Sequence, residues 1–206
     1  MQIKSRKRVM DFGEVFTNDK EINAMLHLVK KEINRIESKI LEPAAGNGNF
    51  LVRILEEKLK IVNKKFKKNQ ELYEKTAFLA ISNLYGIDIL NDNVFECRER
   101  LYNCLLKEYT KLFKDNYDEN FMNSINYILE KNIVQGDGLS CLNENNEPII
   151  FSEWILENEC YVKKEDFVMA KMVGYNDFEN DELKKISKNK YIKFEPIYFK
   201  EVYKLG

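Results

Sequence analysis

Proline and histidine are the scarce residues of this 206-residue chain: three prolines, Pro43, Pro148 and Pro196, none next to another, and one histidine, His27. A single imidazole leaves Ser-His-Asp and Cys-His nucleophile systems dependent on His27. That residue lies in "KEINAMLHLVKKEINRI", off the helical stripe of Ile22, Met25, Leu26, Val29 and Ile33, and reads as a solvated helix position. The four cysteines, Cys97, Cys104, Cys141 and Cys160, contain no CxxC pair. They argue against a Cys/His zinc site, so no metal is expected, and free thiols fit a reducing, cytoplasmic setting. No apolar run approaches the roughly 18 residues of a membrane span, and "MQIKSRKRVMDF" lacks the apolar core of a signal peptide, so no membrane partner is expected. Excess charge of either sign is missing too. With 33 basic residues against 34 acidic, global charge points to no polyanionic partner.

What is present is material for a core. Apolar residues make up 44% of the chain, with 13 Phe and 11 Tyr, enough for one globular domain over residues 1–206. A basic, then mixed leader ends in "DFGEVFT"; a helix is expected from Asn18 or Asp19 to about Ser38. From residue 39 to 139 strands and helices alternate. "KILEP", "LYGIDIL" and "IVQGDGL" read as strands; "FLVRILEEKLKIVNKKFKKN", "ELYEKTAFLAISN", "NDNVFECRERLYNCLLKEYTKLF" and "YDENFMNSINYILEKN" read as helices. That alternation predicts an α/β fold with a mostly parallel central sheet flanked by helices. Residues 140–206 form a divergent, irregular, β-rich end. There "PIIFSEWIL" and "YVKKEDFVMAKMV" read as strands and "KYIKFEPIYFKEVY" as a terminal hairpin.

The stretch "ILEPAAGNGNF" places small residues and an acid at the end of a strand. In open α/β sheets ligands bind outside the carboxyl ends of the strands. Gly46 and Gly48 let the backbone turn and approach a ligand, and Glu42 is placed to attract an ammonium group, directly or through water. Asp88, ending the second strand, suits a ribose diol, because one carboxylate can accept from two adjacent hydroxyls. Asp137, ending the third, can accept from an exocyclic amine. The competing reading is that Asp88 and Asp137 cap the helices that follow. "GNGNF" lacks the third glycine of a dinucleotide fingerprint, and no GKS or GKT marks a P-loop.

Together these segments resemble the S-adenosylmethionine-dependent DNA amino-methyltransferases of the adenine-N6/cytosine-N4 type. "LEPAAGNGNFL" is similar to their cofactor motif, "NLYGIDI" to the ribose-binding motif and "IVQGDGL" to the adenine-binding motif. "RVMDFGEVFTN" looks like the element that helps close the pocket. The resemblance covers residues 8 to about 139. It implies a Rossmann-like class I methyltransferase fold and S-adenosylmethionine as cofactor. It places Phe16 and Thr17 at the pocket border and Glu42, Ala44, Gly46 and Gly48 at the methionine end. Asp88 and Ile89 fall at the ribose, and Asp137 and Gly138 at the adenine. It also implies DNA as partner and DNA modification or restriction–modification as setting.

Three departures stand out. Ala45 replaces the family's common Cys, and Asn18 the usual Pro. More seriously, the Asn/Asp/Ser-Pro-Pro-aromatic loop that orients the acceptor amine and stacks the flipped base has no counterpart. By position, Ser152, Glu153 and Trp154 offer an acceptor and a ring; Asp166, Tyr175 and Asn176 are a second set. For both aromatics, burial in the core is the alternative. No target-reading domain is visible, so a protein partner could supply recognition. The basic runs "KSRKR" and "KLKIVNKKFKKN" are phosphate contacts or solvated faces. Three readings follow: a compact DNA (adenine-N6) methyltransferase, a catalytically inactive S-adenosylmethionine-binding subunit or regulator of a DNA modification or defence assembly, or a non-enzymatic scaffold in which the fold survives and the pocket does not.

Overall fold

The structure is a computed structural model and describes residues 4–15, 17–158, 160–172 and 194–206. Phe16, Tyr175 and Asn176 lie outside the described residues.

Three parallel strands, β1 (Ile40–Glu42), β2 (Leu84–Asp88) and β3 (Ile133–Gln135), form a sheet in that order, with Ile40 opposite Leu84 and Gly86 opposite Ile133. Helices α4 (Asn49–Phe66) and α5 (Gln70–Ser82) make the first crossover, α6 (Asn91–Phe113) and α7 (Glu119–Asn132) the second. The chain is therefore a mixed α/β fold. All three strands deliver their carboxyl ends to one edge, which sets Glu42, Asp88 and Asp137 near one another.

Alternate strand residues point to opposite faces. Ile40, Leu84 and Ile133 pack into the large core with α4–α7. Leu41, Tyr85, Ile87 and Val134 face the other way, onto a smaller core with Cys141, Ile149, Phe151 and Val168. That second face is covered by no helix of the crossovers. A hairpin of β4 (Ile150–Leu156) and β5 (Tyr161–Val168) lies over it, paired from Ile150↔Val168 to Leu156↔Val162. The Tyr85 ring sits 5.0 Å from Phe151 and 5.9 Å from Phe167. Burial of such rings stabilises the contact by roughly 1.5–3 kcal/mol each. The expected α/β architecture with a parallel sheet and helices holds in outline: the parallel sheet has three strands, the crossover helices pack on one face, and the β-rich C-terminal end makes a separate antiparallel sheet.

Three local expectations are corrected. The helix after Asn18 breaks at Val29 into α2 (Asp19–Leu28) and α3 (Lys30–Ile33) and stops short of Ser38. Within the leader, α1 (Arg6–Phe12) is capped by the Ser5 hydroxyl and ends at Gly13, whose φ of 65° is left-handed. The first arm of the expected terminal hairpin, residues 190–193, lies outside the described residues, and its second arm is not a continuous strand. Only β6 (Ile197–Tyr198) is extended, pairing with Tyr161 and Val162, and Phe199–Leu205 is a 3₁₀ helix. Phe199 and Val202, three apart and fully buried, set that period, while Lys200 reaches the buried carboxylate of Glu74 and that of Asp118. β5 likewise ends at Val168, where α8 (Met169–Met172) begins.

Candidate functional site

At the carboxyl edge of the parallel sheet a cavity of about 630 Å³ opens. Its walls come from the β1 turn (Pro43, Ala44, Gly46), the β2 end (Asp88, Ile89, Leu90, Asn93) and the β3 end (Gly136, Asp137, Gly138, Leu139). The leader supplies a fourth wall through Asp11, Gly13, Glu14 and Val15. Six of the residues singled out from the sequence, Ala44, Gly46, Asp88, Ile89, Asp137 and Gly138, thus line one space. Glu42 and Gly48 stand behind that lining. Thr17 is not among the lining residues; its carbonyl accepts from Asn49 Nδ2 at 3.4 Å.

Local geometry explains the turn. Gly48 caps α4 with φ 83°, and a Cβ there would sit 2.6 Å from Cys97 Sγ, so the first turn packs directly on α6. Gly138 presses on Pro43, where a Cβ would run into the Pro43 carbonyl oxygen, locking the β3 end to the β1 end. Asn18, standing where the resemblance expects Pro, caps α2 and forms a capping box with Glu21.

The acids do more than face the cavity. Asp88 accepts from the Gly46 N–H at 2.8 Å, the Leu90 N–H at 2.9 Å and Asn93 Nδ2 at 3.2 Å. A carboxylate has about four acceptor directions, so about one is left for a ligand hydroxyl. Asp137 accepts the Leu139 N–H at 2.9 Å; that bond, then the Ser140 hydroxyl, holds its carboxyl below the ordinary range. Neither acid caps a helix, since α6 has no side-chain cap and no helix lies between Asp137 and β4; both instead brace a turn, a role compatible with ligand contact. Glu42 differs. Burial raises its carboxyl, and among the described residues its one side-chain hydrogen bond is a long 3.4 Å contact from the Ala44 N–H.

Electrostatically the cavity is one-sided. Asp11, Glu14, Asp88 and Asp137 line it, and among the described residues no Lys, Arg or His does. Above this acidic floor the rim is apolar, formed by Val15, Ile89 and Leu139, all exposed. Such a site suits a ligand carrying cationic groups, hydroxyl or amine donors and a flat ring, and disfavours phosphates.

Glu14 and Asn93 were not foreseen from the sequence. Burial would raise the Glu14 carboxyl, but Arg8, at 2.7 and 2.6 Å, and Asn93, at 2.7 Å, bring it below the ordinary range. Arg8 also pairs with Asp92 at 2.6 Å, and Lys4 with Asp92 and Glu96 at 3.2 and 2.7 Å. Two cations of "KSRKR" are thus spent on the first turns of α6. In the other basic run Lys64, Lys65, Lys67 and Lys68 are exposed, and Lys60 pairs with Glu57.

Ser152, Glu153 and Trp154 do not reach the cavity. Ser152 is buried and donates to Asp166 at 2.6 Å; Glu153 pairs with Lys39 at 2.6 Å. Trp154 packs edge-on against Phe78 and Tyr127, at 6.2 and 6.0 Å between ring centres. All three sit on β4, which pairs with β5 rather than with the parallel sheet, and Trp154 belongs to the large core beside the crossover helices. Asp166 is held by Ser152 and by Lys164 at 3.1 Å.

One curated relative, from Methanocaldococcus jannaschii, carries the name "Putative type II restriction enzyme and methyltransferase RM.MjaORFECS2P". It is 28% identical over 98 residues, covering 46% of this chain. This chain spans 8% of that relative's length. No family model matches the sequence, and no solved structure matches it significantly. The similarity is confined to that 98-residue stretch. Among the described residues no helix is long and apolar enough to cross a membrane.

Proposed function

We propose that this chain is an S-adenosylmethionine-binding methyltransferase-like protein with a Rossmann-like cofactor domain, related to the DNA (adenine-N6) methyltransferases of restriction–modification systems. The observation that carries the reading is the convergence of three strand ends, their acids and the glycine turn on one acidic, apolar-rimmed cavity. S-adenosylmethionine has the matching chemistry: a sulfonium and an ammonium, a ribose diol and a flat adenine with an exocyclic amine. Asp88 would take a ribose hydroxyl on its remaining acceptor direction. Asp137 would accept from the adenine amine, and Ile89 and Leu139 would bracket the ring. The half-buried Glu42 carboxylate, poorly satisfied within the protein, would face the ammonium end, directly or through water. When bound, the cofactor supplies an activated methyl group, and the chain's task is to hold it in line with an acceptor nitrogen. DNA is the acceptor this reading assigns, with a partner chain, or further sequence such as the longer relative has, reading the target.

A second reading is favoured by the burial of Ser152 and Trp154 and the ion pairing of Glu153 with Lys39. With those groups committed to packing, a catalytically inactive cofactor-binding subunit would show the same cavity without turnover. Calorimetric titration with S-adenosylmethionine, followed by transfer of labelled methyl groups to varied duplex DNA, separates the two. Micromolar binding with transfer supports the enzyme, and binding without transfer supports the subunit. No binding by folded protein would rule out both.

A further inference from the structure

Asn93 lines the cavity wall yet is only 1% exposed, and all its side-chain polar capacity is directed. Its Nδ2 donates to Glu14 at 2.7 Å and to Asp88 at 3.2 Å. Its Oδ1 accepts from Lys4 at 2.8 Å and from Arg8 at 3.3 Å. Two carboxylates on the amide nitrogen and two cations on the amide oxygen fix the orientation, since the flipped amide would face four mismatched partners. Three of those partners belong to the leader. The fourth, Asp88, also holds the Gly46 and Leu90 N–H groups. One buried side chain therefore joins the leader wall to the acid that organises the floor.

We propose that Asn93 is a positioning residue that couples docking of the 4–15 leader to the orientation of Asp88, so that leader closure and ligand capture are one linked event. The inference rests on the S-adenosylmethionine reading above. Its physical basis is reciprocity: if a docked leader fixes Asp88 in its binding orientation, the ligand must tighten the leader by the same factor. Arg8 is the informative partner, because it does not line the cavity and reaches Asp88 through Asn93. Its other route to the site is its direct bond to Glu14.

The test uses the whole chain, with S-adenosylmethionine as the probe. Calorimetry gives affinity and amide hydrogen exchange follows residues 4–15 with and without ligand. In the wild type, ligand is expected to slow leader exchange. Asn93→Ala is expected to weaken binding roughly tenfold or more, as loss of hydrogen bonds to charged groups implies, and to abolish the ligand effect on the leader. Asn93→Asp, which cannot donate, should be no better than Asn93→Ala. Phe95→Ala, altering an exposed ring outside the cavity, should bind as the wild type does. Arg8→Gln should weaken binding several-fold alone and add nothing in the Asn93→Ala background. If Arg8→Gln is equally harmful in both backgrounds, the route runs through Glu14 and the inference fails. It fails also if Asn93→Ala binds normally or if ligand leaves leader exchange unchanged, while the proposed function stands in either case. A wild type that binds no ligand overturns the proposed function and the inference with it.

Discussion

The carboxylate of Asp88 and the backbone N–H of Gly46 lie 2.8 Å apart, 42 positions distant in sequence, and this bond ties the end of the second strand to the turn after the first. A residue placed to meet a ligand is therefore also a fastening of the cavity floor.

From this, Asp88→Ala is expected to lose stability as well as affinity. Freeing the Gly46 and Leu90 N–H groups should cost about 2 kcal/mol, less whatever water recovers in this half-exposed position. Urea unfolding measures the loss. Binding of S-adenosylmethionine, corrected for the folded fraction, should weaken at least tenfold. Undiminished stability would mean that these hydrogen bonds contribute nothing net.

Lys58 gives a pH prediction of definite sign. It is fully buried on α4, its Nζ donating to the Ile36 and Ser38 carbonyls at 2.9 and 2.8 Å, and burial lowers its pKa from 10.5 to about 8. Between those values the unfolded chain holds a proton that the folded chain has released. The Lys58 contribution to stability therefore rises with pH across that window, by up to about 3 kcal/mol, and is flat below it. Cys97, raised to about 12 by burial, acts in the opposite sense at higher pH. The wild-type-minus-Lys58→Met difference in urea midpoint isolates the lysine. That difference should grow from pH 8 to 10, and a constant one would refute the assignment.

Gly48 and Cys97 should behave as a coupled pair. Gly48→Ala meets a left-handed φ of 83° and the thiol 2.6 Å from the new Cβ. The backbone component costs about 1–2 kcal/mol and the clash adds to it. Cys97→Ala removes the thiol, so the double variant should be less destabilised than the sum of the singles. Strict additivity in a thermal or chemical unfolding cycle would show that the neighbour moves aside freely.

Trp154 offers a test of its place in the core. Trp154→Ala should destabilise by about 3–5 kcal/mol, while the folded fraction binds cofactor as before. Trp154→Phe should be milder, because the buried indole Nε1 has no hydrogen-bond partner among the described residues to lose. If Trp154→Phe instead abolished methyl transfer at unchanged stability, the ring would be acting at the acceptor rather than in the core.

Much of this was legible in the chain because it is local. The periodicity of α4 and α6 marks their buried stripes, Leu51–Val62 and Val94–Tyr109, since residues three and four apart share a helix face whatever surrounds them. The acids at the ends of β2 and β3 could be placed because strand ends and turn residues are short-range signals. What surrounds those ends was not legible. That Tyr85 and Ile87 meet a hairpin rather than helices depends on contacts across more than sixty positions, and nothing local in "PIIFSEWIL" distinguishes a strand that extends a parallel sheet from one that folds over its face. The clasp of Arg8, Glu14 and Asn93 is of the same kind. Each side chain is an ordinary polar residue in its own segment, and only burial together, where an unpaired charge is expensive, makes them one network. The sequence by itself determined the elements, their order and the chemistry at the strand ends. The tertiary structure alone decided which face each strand shows, which acids share a cavity and which candidates, Trp154 among them, are taken into the core. Packing is a property of pairs far apart in the chain.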